Sequence, residues 1–126
     1  MQVRYILDHV NHDALVGVGE SGVGPWRAMA GAPGWTSAAR YRLVPLGLQL
    51  AGSMSGPLEV NTPRHIGTLP PDAQPVETQV APVAITAGNI ATTGVLIVYP
   101  DNGEVFYWAA VGGNGVIYLS TVFSLD

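Results

Sequence analysis

From Arg40 onward, apolar residues alternate with small or polar ones at a period of two. Tyr41-Arg42-Leu43-Val44, followed by Leu46, Leu48 and Leu50 around Gly47 and Gln49, predicts a strand with one apolar face, bent near Pro45. Gly52 to Pro57 reads as a turn. Val76 to Thr86 is extended, with Pro82 placing it at a sheet edge, and Gly94 to Tyr99 is a dense β-branched run. Pro100-Asp101-Asn102-Gly103 lies between two apolar runs and predicts a hairpin, because Asn-Gly accepts the positive φ values of a tight turn. Glu104 to Val111 is the return strand, Gly112 to Gly115 a second turn, and Val116 to Leu125 the last strand. The last third is therefore expected to be a three-stranded antiparallel meander.

Both faces of that meander are apolar. Val95, Ile97 and Tyr99 oppose Leu96 and Val98; Val105, Tyr107 and Ala109 oppose Phe106, Trp108 and Ala110; Ile117, Leu119, Phe123 and Leu125 oppose Val116, Tyr118 and Val122. A sheet with one wetted face alternates apolar with polar residues, so one sandwich core accounts for only one of these faces. Another layer or another subunit must cover the second. A subunit is favoured, because few charges remain to solvate a monomer and large apolar patches mark interaction sites.

The N-terminal third has no such period. Residues 1–16 are compatible with a short helix carrying Val3, Ile6, Val10 and Ala14 on one side, and equally with an extended arm. Residues 17–39 are rich in Gly and Pro, with Trp26 and Trp35 between them. Two tryptophans are costly to leave in water, so they are expected to dock on the domain or on a neighbouring chain. The division expected is an irregular, Gly- and Trp-rich arm over 1–34 and an all-β domain over 35–126.

Composition narrows the function. The 126 residues suit one domain, and only 11% are charged, against about 25% in an ordinary soluble domain. Five Arg and no Lys against nine acids give a net charge of −4, which provides no basic track for a nucleic-acid backbone. Without Cys there is no disulfide framework, thiolate metal site or cysteine nucleophile. The N-terminus reaches Asp8 before an apolar core can develop, unlike a secretory signal. The charge-free stretches Thr78–Pro100 and Val105–Leu125 are broken by Pro82, Gly88-Asn89 and Gly112-Gly113-Asn114-Gly115, so no membrane insertion is expected.

The chemical motifs are thin. Gly17-Val18-Gly19-Glu20-Ser21-Gly22 has the letters of a dinucleotide-binding loop but runs into Val23-Gly24-Pro25, without the following helix that such a loop requires. Gly19-Glu20-Ser21-Gly22-Val23 fails as a nucleophile elbow at its fifth position. Asp8-His9-Val10-Asn11-His12-Asp13 is the one cluster with metal-ligand types. His9 and His12 would share a face on a helix and would recur around the axis of a symmetric trimer, but their spacing assigns no metal. His65 reads as a surface residue, and Glu59, Asp72, Glu77 and Glu104 as solvated charges beside turns. No cofactor and no enzymatic site is expected.

Leu50-Ala51-Gly52, Gly67-Thr68-Leu69-Pro70, Pro75, Asp101-Asn102-Gly103 and Ile117-Tyr118-Leu119-Ser120-Thr121-Val122-Phe123 follow one another in an order that resembles the C-terminal head domains of bacteriophage tail-fibre and minor tail proteins, particularly of phages infecting Gram-positive and actinobacterial hosts. The resemblance spans roughly residues 35–126. It departs at Asp72-Ala73-Gln74, where Gly-Tyr-Arg is usual, and at Thr121, where Gly is usual. It implies a small antiparallel β-sandwich assembled as a homotrimer, a non-enzymatic virion protein of the tail that contacts the host surface through a receptor or glycan. Residues 1–34 would attach it to another virion protein. The alternative is a capsid decoration or head-fibre protein on the capsid exterior that attaches without recognising a host, and a carbohydrate-processing enzyme would need two carboxylates in one cleft. Gly67, Thr68, Leu69, Pro70, Asn102 and Gly103 are expected to form structural turns, and Trp26, Trp35, Tyr107, Trp108 and Tyr118 to supply interfaces.

Overall fold

The computed structural model describes residues 23–45 and 47–125. The strands are β1 (Arg27–Ala28), β2 (Ala30–Gly31), β3 (Thr36–Ser37), β4 (Arg40–Val44), β5 (Gly47–Ala51), β6 (Ser53–Leu58), β7 (Arg64–Thr68), β8 (Gln79–Ala87), β9 (Ile90–Val98), β10 (Glu104–Trp108), β11 (Gly113–Tyr118) and β12 (Thr121–Phe123), with a 3-10 turn at Pro71–Ala73. They form a four-stranded sheet, β1-β4-β5-β12, and an eight-stranded sheet, β2-β7-β10-β9-β8-β11-β6-β3. The ladders are antiparallel, and the fold is the expected all-β sandwich.

The period-two pattern sets the core. Tyr41, Leu48, Leu50 and Phe123 point inward from the small sheet, and Met54, Ile66, Val83, Ile85, Leu96, Val98, Val105, Tyr107 and Ile117 from the large one. Each fully buried Leu or Ile of this set contributes about 1.5–3 kcal/mol. Tyr107 sits at the centre with both sides of its hydroxyl used: the Glu59 N–H donates to it at 2.7 Å, and it donates to the Pro57 carbonyl at 3.4 Å.

One ribbon ties the sheets together. β6 pairs with β11 in the large sheet and β5 with β12 in the small one, so both chains bend from one sheet into the other at the same place. The Leu119 N–H donates to the Gly52 carbonyl at this corner. A side chain at Gly52 would overlap the Ala38 carbonyl, which is why the bend is made there.

Several expectations change. Arg40–Leu50 is two strands, because Val44 pairs with Gly47. Ser53–Leu58 is a strand and only Gly52 turns: Met54 and Leu58 face the core, while Gly56 between them leaves room for the Trp35 ring. The meander is β8-β9-β10, without the last strand. β10 already has β7 on one side and β9 on the other, so β11 pairs with β8 and β6, and Gly113 to Gly115 belong to β11. The last run also divides between the two sheets, as β11 and β12. Pro82 lies in a strand with neighbours on both sides, yet β11 reaches β8 only from Ala84 to Ala87, so on that side Pro82 needs no N–H for a ladder.

Gly67 and Thr68 end β7 and Leu69 is buried; the turn begins at Pro70, ahead of the 3-10 turn. The Pro100–Gly103 hairpin forms as expected, but only Gly103 takes positive φ (72°), while the Asn102 side chain accepts the Glu104 N–H at 3.0 Å. Gly103 accepts a hydrogen bond from Leu69 N–H, joining the two loops. Residues 23–34, expected in the arm, supply β1 and β2 and bury Met29 and Ala32. The remainder of the arm, with His9, His12 and the Gly17–Gly22 motif, lies outside the described residues.

Candidate functional site

The outer face of the large sheet is apolar across β8, β9 and β10, with His65 of β7 at its rim. Register aligns Val80, Ile97, Phe106 and His65 in one row, and Pro82, Val95 and Trp108 in the next. Tyr99 packs edge-on against Phe106 with ring centroids 5.3 Å apart, and His65 lies 5.5 Å from the same ring. Val80 is 62% exposed, while Ile97, Phe106 and Trp108 are half-buried by their neighbours. β8 and β9 carry no charged residue. The second apolar face foreseen in the sequence is thus present, and among the described residues nothing covers it.

On the same face, toward β3, a shallow open groove of about 440 Å³ is lined by Thr36, Ser55, Pro57, Asn114 and Val116. The side chains of Thr36, Ser55 and Asn114 make no hydrogen bond among the described residues. Tyr118, 44% exposed, lies opposite Ser53 and two residues from Val116. Hydroxyls and an amide free to bond, beside an aromatic ring, suit a polyhydroxylated ligand.

The small sheet presents different chemistry. Arg40 and Arg42 share its outer face by strand alternation, and both guanidinium groups lie over Trp26, at 5.0 and 4.2 Å from the ring centroid. Arg42 Nε also donates to Gln49 Oε1 at 2.7 Å. Arg27 is engaged elsewhere, with Asp72 at 3.0 Å and over the Tyr41 ring.

The expected interface residues divide. Tyr107 is wholly enclosed by its own chain and cannot reach a neighbour. Trp35 packs on the core, 5.5 Å from Tyr107, whereas Trp26, Trp108 and Tyr118 reach the surface. Burial raises the Tyr107 hydroxyl above the ordinary tyrosine value, opposed by the hydrogen bond from the Glu59 backbone; burial raises Tyr41 too, opposed by Arg27. Among the described residues, no group of three or more His, Cys, Asp or Glu could hold a metal, and no helix is long and apolar enough to cross a membrane. The groove and the arginine pair were not found by sequence reasoning. Arg-Tyr-Arg in a strand did signal two cations on one face, but Ser55 and Asn114 meet only through the β6–β11 pairing.

No protein-family model matches the chain, and no curated protein matches it. Among solved structures, it is similar to the crystallographic head domain of the lactococcal phage bIL170, described in connection with a common fold of lactococcal phage receptor-binding domains. The TM-score is 0.66 at 15% identity, over 81% of this chain and 98% of that one. At that identity the likeness establishes a shared fold.

Proposed function

We propose that the chain is the head domain of a phage receptor-binding protein, a non-enzymatic virion component that contacts the bacterial surface. The observation that carries this reading is that its two-sheet fold accounts for 98% of the bIL170 head domain. The Gly67–Pro70 and Ile117–Phe123 motifs support placing it on the tail, as a tail-fibre or minor tail protein of a phage of Gram-positive, actinobacterial hosts. The row of Val80, Ile97 and Phe106, uncovered among the described residues, supports a homotrimer, in which neighbouring copies cover this face. The N-terminal arm attaches the domain to another virion protein, and the groove at Ser55 and Asn114 takes a surface glycan.

The test is saturable binding of the labelled protein to intact cells across a panel of Gram-positive bacteria, compared with binding to virions lacking it. Binding to cells supports the reading. Binding to capsids with none to any cell overturns it in favour of capsid decoration, and turnover of a cell-wall polysaccharide overturns its non-enzymatic part.

A further inference from the structure

The five arginines are the only Lys or Arg in the chain, and two of them share one exposed tryptophan. Trp26 is 36% exposed, and Arg40 and Arg42 lie over its ring. No Asp or Glu occurs in any strand of that sheet. Neither arginine makes an ion pair among the described residues, where the two pairs present are Arg27–Asp72 and Arg64–Glu59. A chain of net charge −4 thus holds two cations side by side that no acid among the described residues compensates.

Stacking on an indole orients the planar guanidinium and leaves its edge N–H groups pointing outward, the arrangement that binds carboxylate or phosphate in a fork. The Arg42–Gln49 bond fixes that side chain further and leaves its terminal nitrogens available. Residues two apart in a strand are roughly 6.5–7 Å apart at Cα, so the two forks can grip one anionic group or two successive ones. We infer that Trp26, Arg40 and Arg42 form a binding site for the anionic groups, phosphodiester or carboxylate, of a surface polysaccharide or polyol. This rests on the reading of the chain as a surface-binding head domain. A protein partner fits less well, because stable protein interfaces have an apolar centre, whereas the outer row of this sheet runs Trp26, Arg42, Gln49 and Val122, and the broad apolar face belongs to the other sheet.

The test uses the full chain on immobilised poly(glycerol phosphate), polygalacturonate and neutral dextran at low ionic strength. Wild type is expected to be retained on an anionic polymer and not on dextran; preference for the first polymer assigns phosphodiester, preference for the second assigns carboxylate. Arg40→Gln/Arg42→Gln is expected to bind on the order of ten- to a hundredfold more weakly with an unchanged thermal midpoint. A measurement on wild type alone guards against misfolding of that variant: inorganic phosphate is expected to elute the protein at lower ionic strength than chloride does. No retention on either anionic polymer, equal retention on dextran, undiminished binding by the folded double variant, or equal elution by the two salts overturns the site. If the site fails while whole cells still bind the protein, the head-domain reading stands; if cells bind nothing either, both fall.

Discussion

Tyr107→Phe removes one oxygen from the centre of the sandwich and tests whether that oxygen organises the crossing between β6 and β7. The hydroxyl accepts the Glu59 N–H at 2.7 Å and donates to Pro57 at 3.4 Å; the second bond is long and contributes little. Loss of one good hydrogen bond costs about 0.5–1.5 kcal/mol, and a buried N–H left without a partner costs about 1–3 kcal/mol. Glu59 is itself exposed, so water recovers part of the second cost, and the expected loss is about 1–2 kcal/mol. Urea unfolding at one fixed protein concentration reads it as a lower midpoint at unchanged slope. The pH dependence provides a second readout. Burial raises the Tyr107 pKa in the folded state above the ordinary 10.0, so its stabilising effect is complete below pH 10 and is lost as pH rises from there through the folded value. Tyr41, shifted in the same direction, is present in both proteins, so the difference between them reports Tyr107. Wild type and variant are expected to differ by a constant amount up to about pH 9 and to converge above pH 10. A change below about 0.3 kcal/mol at neutral pH, or curves that diverge in alkali, would mean that the Tyr107 hydroxyl does not hold the Glu59 N–H in the folded protein.

Other substitutions probe other links. Gly103→Val forces a β-branched residue to a φ of 72° and against the Leu69 carbonyl; a loss of about 1–3 kcal/mol is expected in thermal or urea unfolding, and none would mean that the loop does not hold this conformation. Leu96→Ala opens a cavity beside Tyr107, its cross-strand partner, and is expected to cost about 2–5 kcal/mol, measured the same way. Ile97→Glu/Phe106→Glu puts charge on the uncovered row; light scattering is expected to show a trimeric wild type and a monomeric, folded variant, and an unchanged mass would rule this face out as the contact. Arg27→Gln removes an exposed ion pair and is expected to change stability by less than about 1 kcal/mol.

Fold class was legible because β9 and β10 carry short runs of β-branched and aromatic residues bounded by Gly, Pro and Asn, a pattern that marks strands without alternation. The Asn102-Gly103 hairpin was legible because its chemistry is local. Pairing was not, because it depends on which strand edges remain free: β11 lies beside β8 only because β7 and β9 already occupy both edges of β10. Gly52 to Pro57 looked like a turn because Gly52, Gly56 and Pro57 interrupt it, and the reason for Gly56 is the Trp35 ring, 21 residues away in sequence. Similarly, the apolar positions shift from odd (Tyr41, Leu43) to even (Leu46, Leu48, Leu50) across Pro45, a break that reads equally as a bend within one strand and as the reversal found between Val44 and Gly47. At the candidate surfaces, the apolar outer face followed from counting faces. The arginine pair could be placed on one face from Arg40-Tyr41-Arg42, but its tryptophan platform required knowing that Gly24 hydrogen-bonds to Leu43 and so lays residue 26 alongside β4.

We have proposed that this domain occupies a bacterial surface receptor on behalf of a virion. The most direct measurement is the adsorption rate of virions carrying the chain onto cells first saturated with the purified protein. Adsorption is expected to fall in step with occupancy of the cells by the protein. Adsorption at an undiminished rate onto saturated cells would contradict it.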